Sequence, residues 1–372
     1  MNCCIECFRD GEIRKIIASE NITGNCDYCG CRDVSIYPIC GDGAVEELLN
    51  RIVEEYSITI RPMPLLAYAL NSDWRIFSNR IIAKKVGTQS AVSSLIKSLG
   101  TLFRQDDDDI YSMPVELKKV DEDYAFKFGV IRGNRWNEFS EKIKHGNRFH
   151  NDLFNADAMA SFLSYAEKSY PENSVLYRAR RADGKDGYIS CNMGAPPSAI
   201  CKAGRINPEG ISVLYLASDA DTALSEIRAS TYDYVSIGMF RAKKPFQVVS
   251  LHSFSNISPF VCDDLYRYVI NSNVLVDFSD AVSKPLRRND SPLDYLPTQY
   301  ITEFIKSITR YDGVEYTSTM NPGGMNVAIF DEELFNCIEV QTVEVSTIKF
   351  QTKPPINNLR GLRPQHSSCG CS

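Results

Sequence analysis

The stretch LYRARRADGKDGYISCNMGAPPSAICKAGRINPEGISVLYLASDADTALSEIR, residues 176–228, decides how the second half of the chain is read. Its first arginine, Arg178, follows the apolar-aromatic run Val175-Leu176-Tyr177, which has the texture of a strand. Arg205 sits in a glycine-flanked turn, Ala203-Gly204-Arg205. A short apolar run over 213–216, holding Tyr215, predicts another strand. Asp219 or Ser218 can then cap a helix over 220–229. Ala220, Ala223, Leu224 and Ile227 line one face of that helix, with Glu226 beside it. A charge next to an apolar face is uncommon unless something uses it.

Outward from this stretch, apolar runs at 235–240, 246–251, 313–316 and 325–330 predict further strands separated by turn residues. Helical patterns over 263–274 and 296–308 are interleaved with them. The expectation is an α+β domain over 171–352, followed by a disordered Pro-, Gly-, Ser- and Asn-rich tail over 353–372. Just past the strand at 313–316, Thr317 leads to Ser318, and Asn326 lies in the run after it.

Toward the N-terminus the texture differs. Val45, Leu48, Leu49, Ile52, Val53 and Tyr56 share one helical face, and Ala91, Val92, Leu95, Ile96, Leu99 and Phe103 repeat the pattern. With helices expected over 135–144 and 156–168, residues 42–170 read as a helical domain. The acidic stretches 106–109 and 116–123 read as solvated loop. Seven of the 13 cysteines fall in the first 40 residues and mark a separate unit over 1–41. Cys4-x2-Cys7, eighteen residues, then Cys26-x2-Cys29 has the spacing of a four-cysteine zinc ribbon. Cys3, Cys31 and Cys40 are alternative ligands that spacing alone leaves open. No His precedes residue 140, so an all-thiolate, closed, structural zinc site is expected.

Across 372 residues, 44% hydrophobic and 24% charged content is that of a globular protein with two or more domains. A net charge of −6 gives no global attraction to nucleic acid or anionic membrane, and no run approaches about 18 apolar residues. In the cysteine unit the basic Arg9, Arg14, Lys15 and Arg32 are balanced by Glu6, Asp10, Glu12, Asp27 and Asp33, so no nucleic-acid partner is expected. The N-terminus lacks the apolar core of a secretion signal, which predicts a cytoplasmic protein with reduced thiols.

The order Arg178, Glu226, Ser318 resembles the RES-domain family, named for those three residues, whose characterised members are bacterial toxins acting on NAD. Arg178 matches the family's tyrosine-arginine pair. Arg205 in Ala-Gly-Arg-Ile-Asn matches its Gly-Gly-Arg-Trp-Asn segment, with Ala and Ile as departures, and Thr317 stands where proline is usual before the serine. The resemblance implies an ADP-ribosyltransferase-like split β-core and a catalytic set of Arg178, Glu226 and Ser318. Arg178, Arg205, Tyr215 and Asn326 would contact NAD as substrate. Tyr300 lies in another family-like segment, where core packing is expected. The reaction implied is cleavage of the nicotinamide–ribose bond, with water, inorganic phosphate or a protein side chain as acceptor, leading by analogy to growth arrest or phage defence. Transfer of ADP-ribose to a macromolecule is a second reading, and a zinc-ribbon binding protein with an inactive RES half a third. The front end resembles the HEPN-like domain often joined to RES domains. HEPN ribonucleases carry Arg, four to six residues, then His; here nine residues separate Arg135 from His145 and one separates Arg148 from His150, so no RNA cleavage is expected. A scaffold, a dimer face or a sensor is expected there instead, and a cognate inhibitor, a sensor partner or a second copy of the chain are the candidate partners.

Overall fold

Strands β1 (Asn2–Cys4), β2 (Thr23–Gly24) and β3 (Val34–Pro38) form an antiparallel sheet in the order β1-β3-β2, with helix α1 (Gly11–Ser19) against β3. The computed structural model describes residues 1–87, 89–100, 108–118, 120–133, 135–284 and 291–348; Phe103 and the 353–372 tail lie outside the described residues. Helices α2 (Ala44–Val53), α3 (Leu66–Trp74), α4 (Asn79–Ile82), α5 (Ala91–Leu99), α6 (Glu122–Phe128), α7 (Trp136–His145) and α8 (Ala156–Leu163) follow. Between them, β4 (Tyr56–Ile58) pairs with β7 (Val115–Leu117), and β5 (Lys85–Val86) with β6 (Gln89–Ser90).

Part of the acidic stretch is ordered rather than loop. Glu116 lies in β7, and Asp121 caps α6 by accepting the Tyr124 N–H at 2.8 Å, with Glu122 and Asp123 in the first turn. Carboxylates suit that position because the unpaired N–H groups of a helix N-terminus favour negative charge.

The second half is built on eight strands: β8 (Glu167–Tyr170), β9 (Val175–Ala182), β10 (Leu214–Ala217), β11 (Tyr234–Ala242), β12 (Phe246–Ser250), β13 (Gly313–Thr317), β14 (Met325–Ile329) and β15 (Phe335–Glu344). They form one mixed sheet in the order β15-β11-β9-β10-β14-β13-β12-β8, parallel only between β12 and β13. β8 replaces the end of the helix expected over 156–168. Its side chains have a better use in the sheet, where Lys168 at 2.6 Å and Tyr170 both bind the buried Glu315 carboxylate on β13. The sheet thus takes its edge strand from residues just before 171.

Pairing is dense on both flanks and thin in the middle. β9 and β11 share eight register pairs, whereas β9 and β10 share one, Tyr177 with Ala217. There the sheet opens. Helix α9 (Ala220–Glu226), capped by Asp219 through the Thr222 N–H, packs beside the opening through Ala223.

Two helices tie the halves together. α10 (Leu265–Ser283) buries side chains around its circumference, as a central helix must. On it, Tyr268 stacks on Trp74 with centroids 6.1 Å apart, and Asn271 Oδ1 accepts the Val130 N–H at 2.6 Å. α11 (Leu296–Ser307) sets Tyr300 edge-on against Phe139 and Phe154, the packing role expected of it. One apolar core therefore runs from the cysteine unit into the large sheet.

Candidate active site

β9 alternates its side chains, with Tyr177 and Ala179 toward α9 and Arg178 on the other face. Arg178 reaches the opening between β9 and β10, where its Nη1 donates to the Tyr215 carbonyl at 3.1 Å. Its Nε is buried with no hydrogen-bond partner among the described residues. Burial, and then neighbouring Arg180, push its pKa down to about 10. A desolvated guanidinium with an idle donor gains most from a bound anion. The rivals are occupied elsewhere: Arg180 lies over the Tyr188 ring and donates to the Asn192 carbonyl, and Arg181 pairs with Asp233 at 3.3 Å.

Arg205 lies over the Tyr295 ring, 5.0 Å from its centroid. Its loop is stiff. Asn207 is buried, donates to the Lys202, Pro208 and Ile211 carbonyls, and accepts the Tyr215 hydroxyl at 2.6 Å. A side chain at Gly204 would run into that same contact, with Asn207 Oδ1 at 2.8 Å and the Tyr215 hydroxyl at 2.9 Å. Tyr215 thus presents its ring rather than its hydroxyl, and burial keeps the phenol's pKa well above the ordinary value.

Glu226 is the last residue of α9 and is exposed to the opening. Ser318 Oγ donates to its Oε1 at 2.6 Å and Asn326 Nδ2 to the same oxygen at 2.8 Å. Ser318 Oγ in turn accepts the N–H groups of Met320 and Asn321 at 3.2 and 3.1 Å, which fixes its hydroxyl proton toward Glu226. With Oε1 doubly bonded, Oε2 is the oxygen left to meet a ligand. The serine orients a carboxylate; among the described residues no histidine hydrogen-bonds it to make it a nucleophile.

These side chains converge. Arg178, Arg205, Tyr215, Glu226 and Asn326 all line one cavity of about 430 Å³, and Ser318 braces its glutamate from behind. That volume is within the range of small-molecule sites, about 300–1,000 Å³. Several lining residues escaped the sequence reading. Tyr316 lies on β13 two positions before Ser318, and strand alternation counted back from that serine is the signal that could have found it. Lys284 follows α10, whose real end lies past the expected 274, and Tyr295 carried no local signal.

At the other end of the chain, Cys4, Cys7, Cys26 and Cys29 are buried, with their sulfurs within 4.8 Å of one another. Three of the separations are 3.4, 3.5 and 3.8 Å. A tetrahedral zinc with bonds of about 2.3 Å sets thiolates about 3.8 Å apart, so the donor set fits a metal ion. Of the alternatives, Cys3 points at the Tyr37 carbonyl, Cys31 lies 3.3 Å from Cys29, and Cys40 is exposed.

Residues 175–351 match the family described as RES domain. This half of the chain is a RES domain. No curated protein and no solved structure matches the chain. Within the matched range, Arg178 and Glu226 line a shared opening in the sheet, and Ser318 contacts Glu226 directly. Among the described residues, no helix is long and apolar enough to cross a membrane.

Proposed function

We propose that the RES domain binds NAD in the 430 Å³ cavity and cleaves its nicotinamide–ribose bond. The opening between β9 and β10 is then the split β-core of an ADP-ribosyltransferase-like fold. One observation carries the reading: a carboxylate locked by Ser318 and Asn326 shares a cavity with a buried arginine whose Nε lacks a partner among the described residues. NAD joins a dianionic pyrophosphate to a ribose that turns cationic as its glycosidic bond breaks. Arg178 and Arg205 would grip the pyrophosphate, and the Tyr215 ring would pack against the nicotinamide side. Glu226 Oε2 would hold the ribose and counter the charge developing at the anomeric carbon. Nicotinamide leaves with the bonding electron pair, and an acceptor oxygen from water or inorganic phosphate closes on that carbon. Depletion of NAD would arrest growth. In the cysteine unit the metal is read as structural zinc, since four buried thiolates leave no open coordination position.

Incubation of the purified full chain with NAD, with and without phosphate, tests this. Free nicotinamide with no labelled protein is the expected result. Label on a protein would redirect the reading to ADP-ribose transfer, and the absence of both would end it.

A further inference from the structure

We propose that the polar face of α11, Gln299 above all, positions Arg205 for the substrate. Three consecutive-turn side chains of this helix, Thr298, Gln299 and Thr302, are at most 5% exposed, and all three are directed at the loop 204–207. Gln299 Nε2 donates to the Gly204 carbonyl at 2.7 Å and to the Asn207 carbonyl at 3.0 Å. The Gly204 N–H also reaches that Asn207 carbonyl at 2.9 Å, so the amide clamps the mouth of the loop closed. Thr298 Oγ1 is 2.8 Å from the carbonyl of Arg205 itself, and Thr302 Oγ1 is 2.8 Å from that of Ile206.

Every carbonyl of the arginine's loop is therefore held from one helix. The two threonines also have carbonyls of their own helix within reach, at 2.9 Å for Tyr295 and 3.0 Å for Thr298, a common fate of helical hydroxyls. Gln299 has no such alternative, and both of its amide protons go to the loop. Buried glutamine is uncommon and costs desolvation, which two carbonyl partners offset. The same stretch of chain contributes Tyr295, under the Arg205 guanidinium. Arg205 thus rests on a pre-built cradle rather than on a free turn, and a fixed guanidinium loses less entropy on gripping a diphosphate.

This assignment rests on the NAD reading of the cavity, and a double-mutant cycle on the full chain separates the two. Gln299→Leu should raise the KM for NAD about tenfold with kcat within about twofold, while Arg205→Ala raises KM by at least as much. In the Arg205→Ala background, Gln299→Leu should add nothing, because the group it positions is gone. Equal rises in both backgrounds, a fall in kcat at constant KM, or a wild-type KM for Arg205→Ala would each overturn the proposal and leave NAD turnover standing. If Gln299→Leu does not fold, Thr298→Val enters the same cycle with an expected rise of about threefold. Should the wild-type chain neither turn over nor bind NAD, amide exchange decides the positioning claim. Faster exchange confined to residues 204–207 in Gln299→Leu supports it, and unchanged exchange there refutes it.

Discussion

The cysteine cluster and the Glu226 cavity are polar sites built in opposite ways. The first draws four identical ligands from residues 4–29, buries all of them, and directs every sulfur at one point. The second gathers unlike side chains from residues 178–326 around an opening in a sheet and, among the described residues, leaves capacity unused at Arg178 Nε and Glu226 Oε2. A closed set of thiolates saturates its metal and stabilises a fold; an open set of mixed charges waits for a ligand. Both features sit on one continuous apolar core, so the comparison can be broken from either side.

Metal removal should have the largest effect. Cys26→Ser, or a strong chelator, should cost the cysteine unit on the order of 10 kcal/mol of metal-linked folding energy. Thermal melting with metal analysis reads it, and an unchanged transition in metal-free protein would mean the cluster is not a structural metal site. Glu226→Gln keeps an acceptor for Ser318 and Asn326, so the melting temperature should stay put while NAD turnover falls by about 10²- to 10⁴-fold. A variant with full turnover would take this residue out of the mechanism.

Arg178→Lys retains charge but not the planar fork, and should raise KM by about ten- to a hundredfold. Its protonation gives the comparison a pH axis. With a folded-state pKa of about 10, below the ordinary value, Arg178 is charged in both folded and unfolded chains at neutral pH. Its burial then opposes folding, and that penalty is relieved as pH rises through about 10. NAD should accordingly raise the melting temperature at pH 7 and progressively less above pH 10, as scanning calorimetry can show. Ser318→Ala should be the mildest change, lowering turnover about tenfold or less, because Asn326 still holds Glu226 Oε1. Steady-state kinetics measure this, and a loss as deep as that of Glu226→Gln would assign the hydroxyl a direct chemical part.

Legibility differed between the two sites for a physical reason. Cys-x2-Cys pairs bring their thiolates together through local turns, so spacing pointed to the four that converge, while only the structure set Cys3, Cys31 and Cys40 aside. For the RES half, periodicity located β10 to β14 and the start of α9. It missed β15, whose alternation is blurred by Asn336, Glu339 and Gln341 on a partly exposed edge, and it ran a helix into β8. Lys168 and Tyr170 become strand residues because Glu315, almost 150 positions away, needs partners in the core. That information is not local.

What the sequence determined by itself was chemistry that depends on neighbours along the chain: the thiolate pairs, a cap at residue 218 or 219 for α9 and the strand texture around Arg178. Tertiary structure alone decided which of those groups meet. The opening between β9 and β10, the doubly held Glu226 oxygen and the grip of α11 on the Arg205 loop join residues 37 to about 100 positions apart. Contacts at that separation depend on how the whole core packs, and no window of sequence contains the forces that set them.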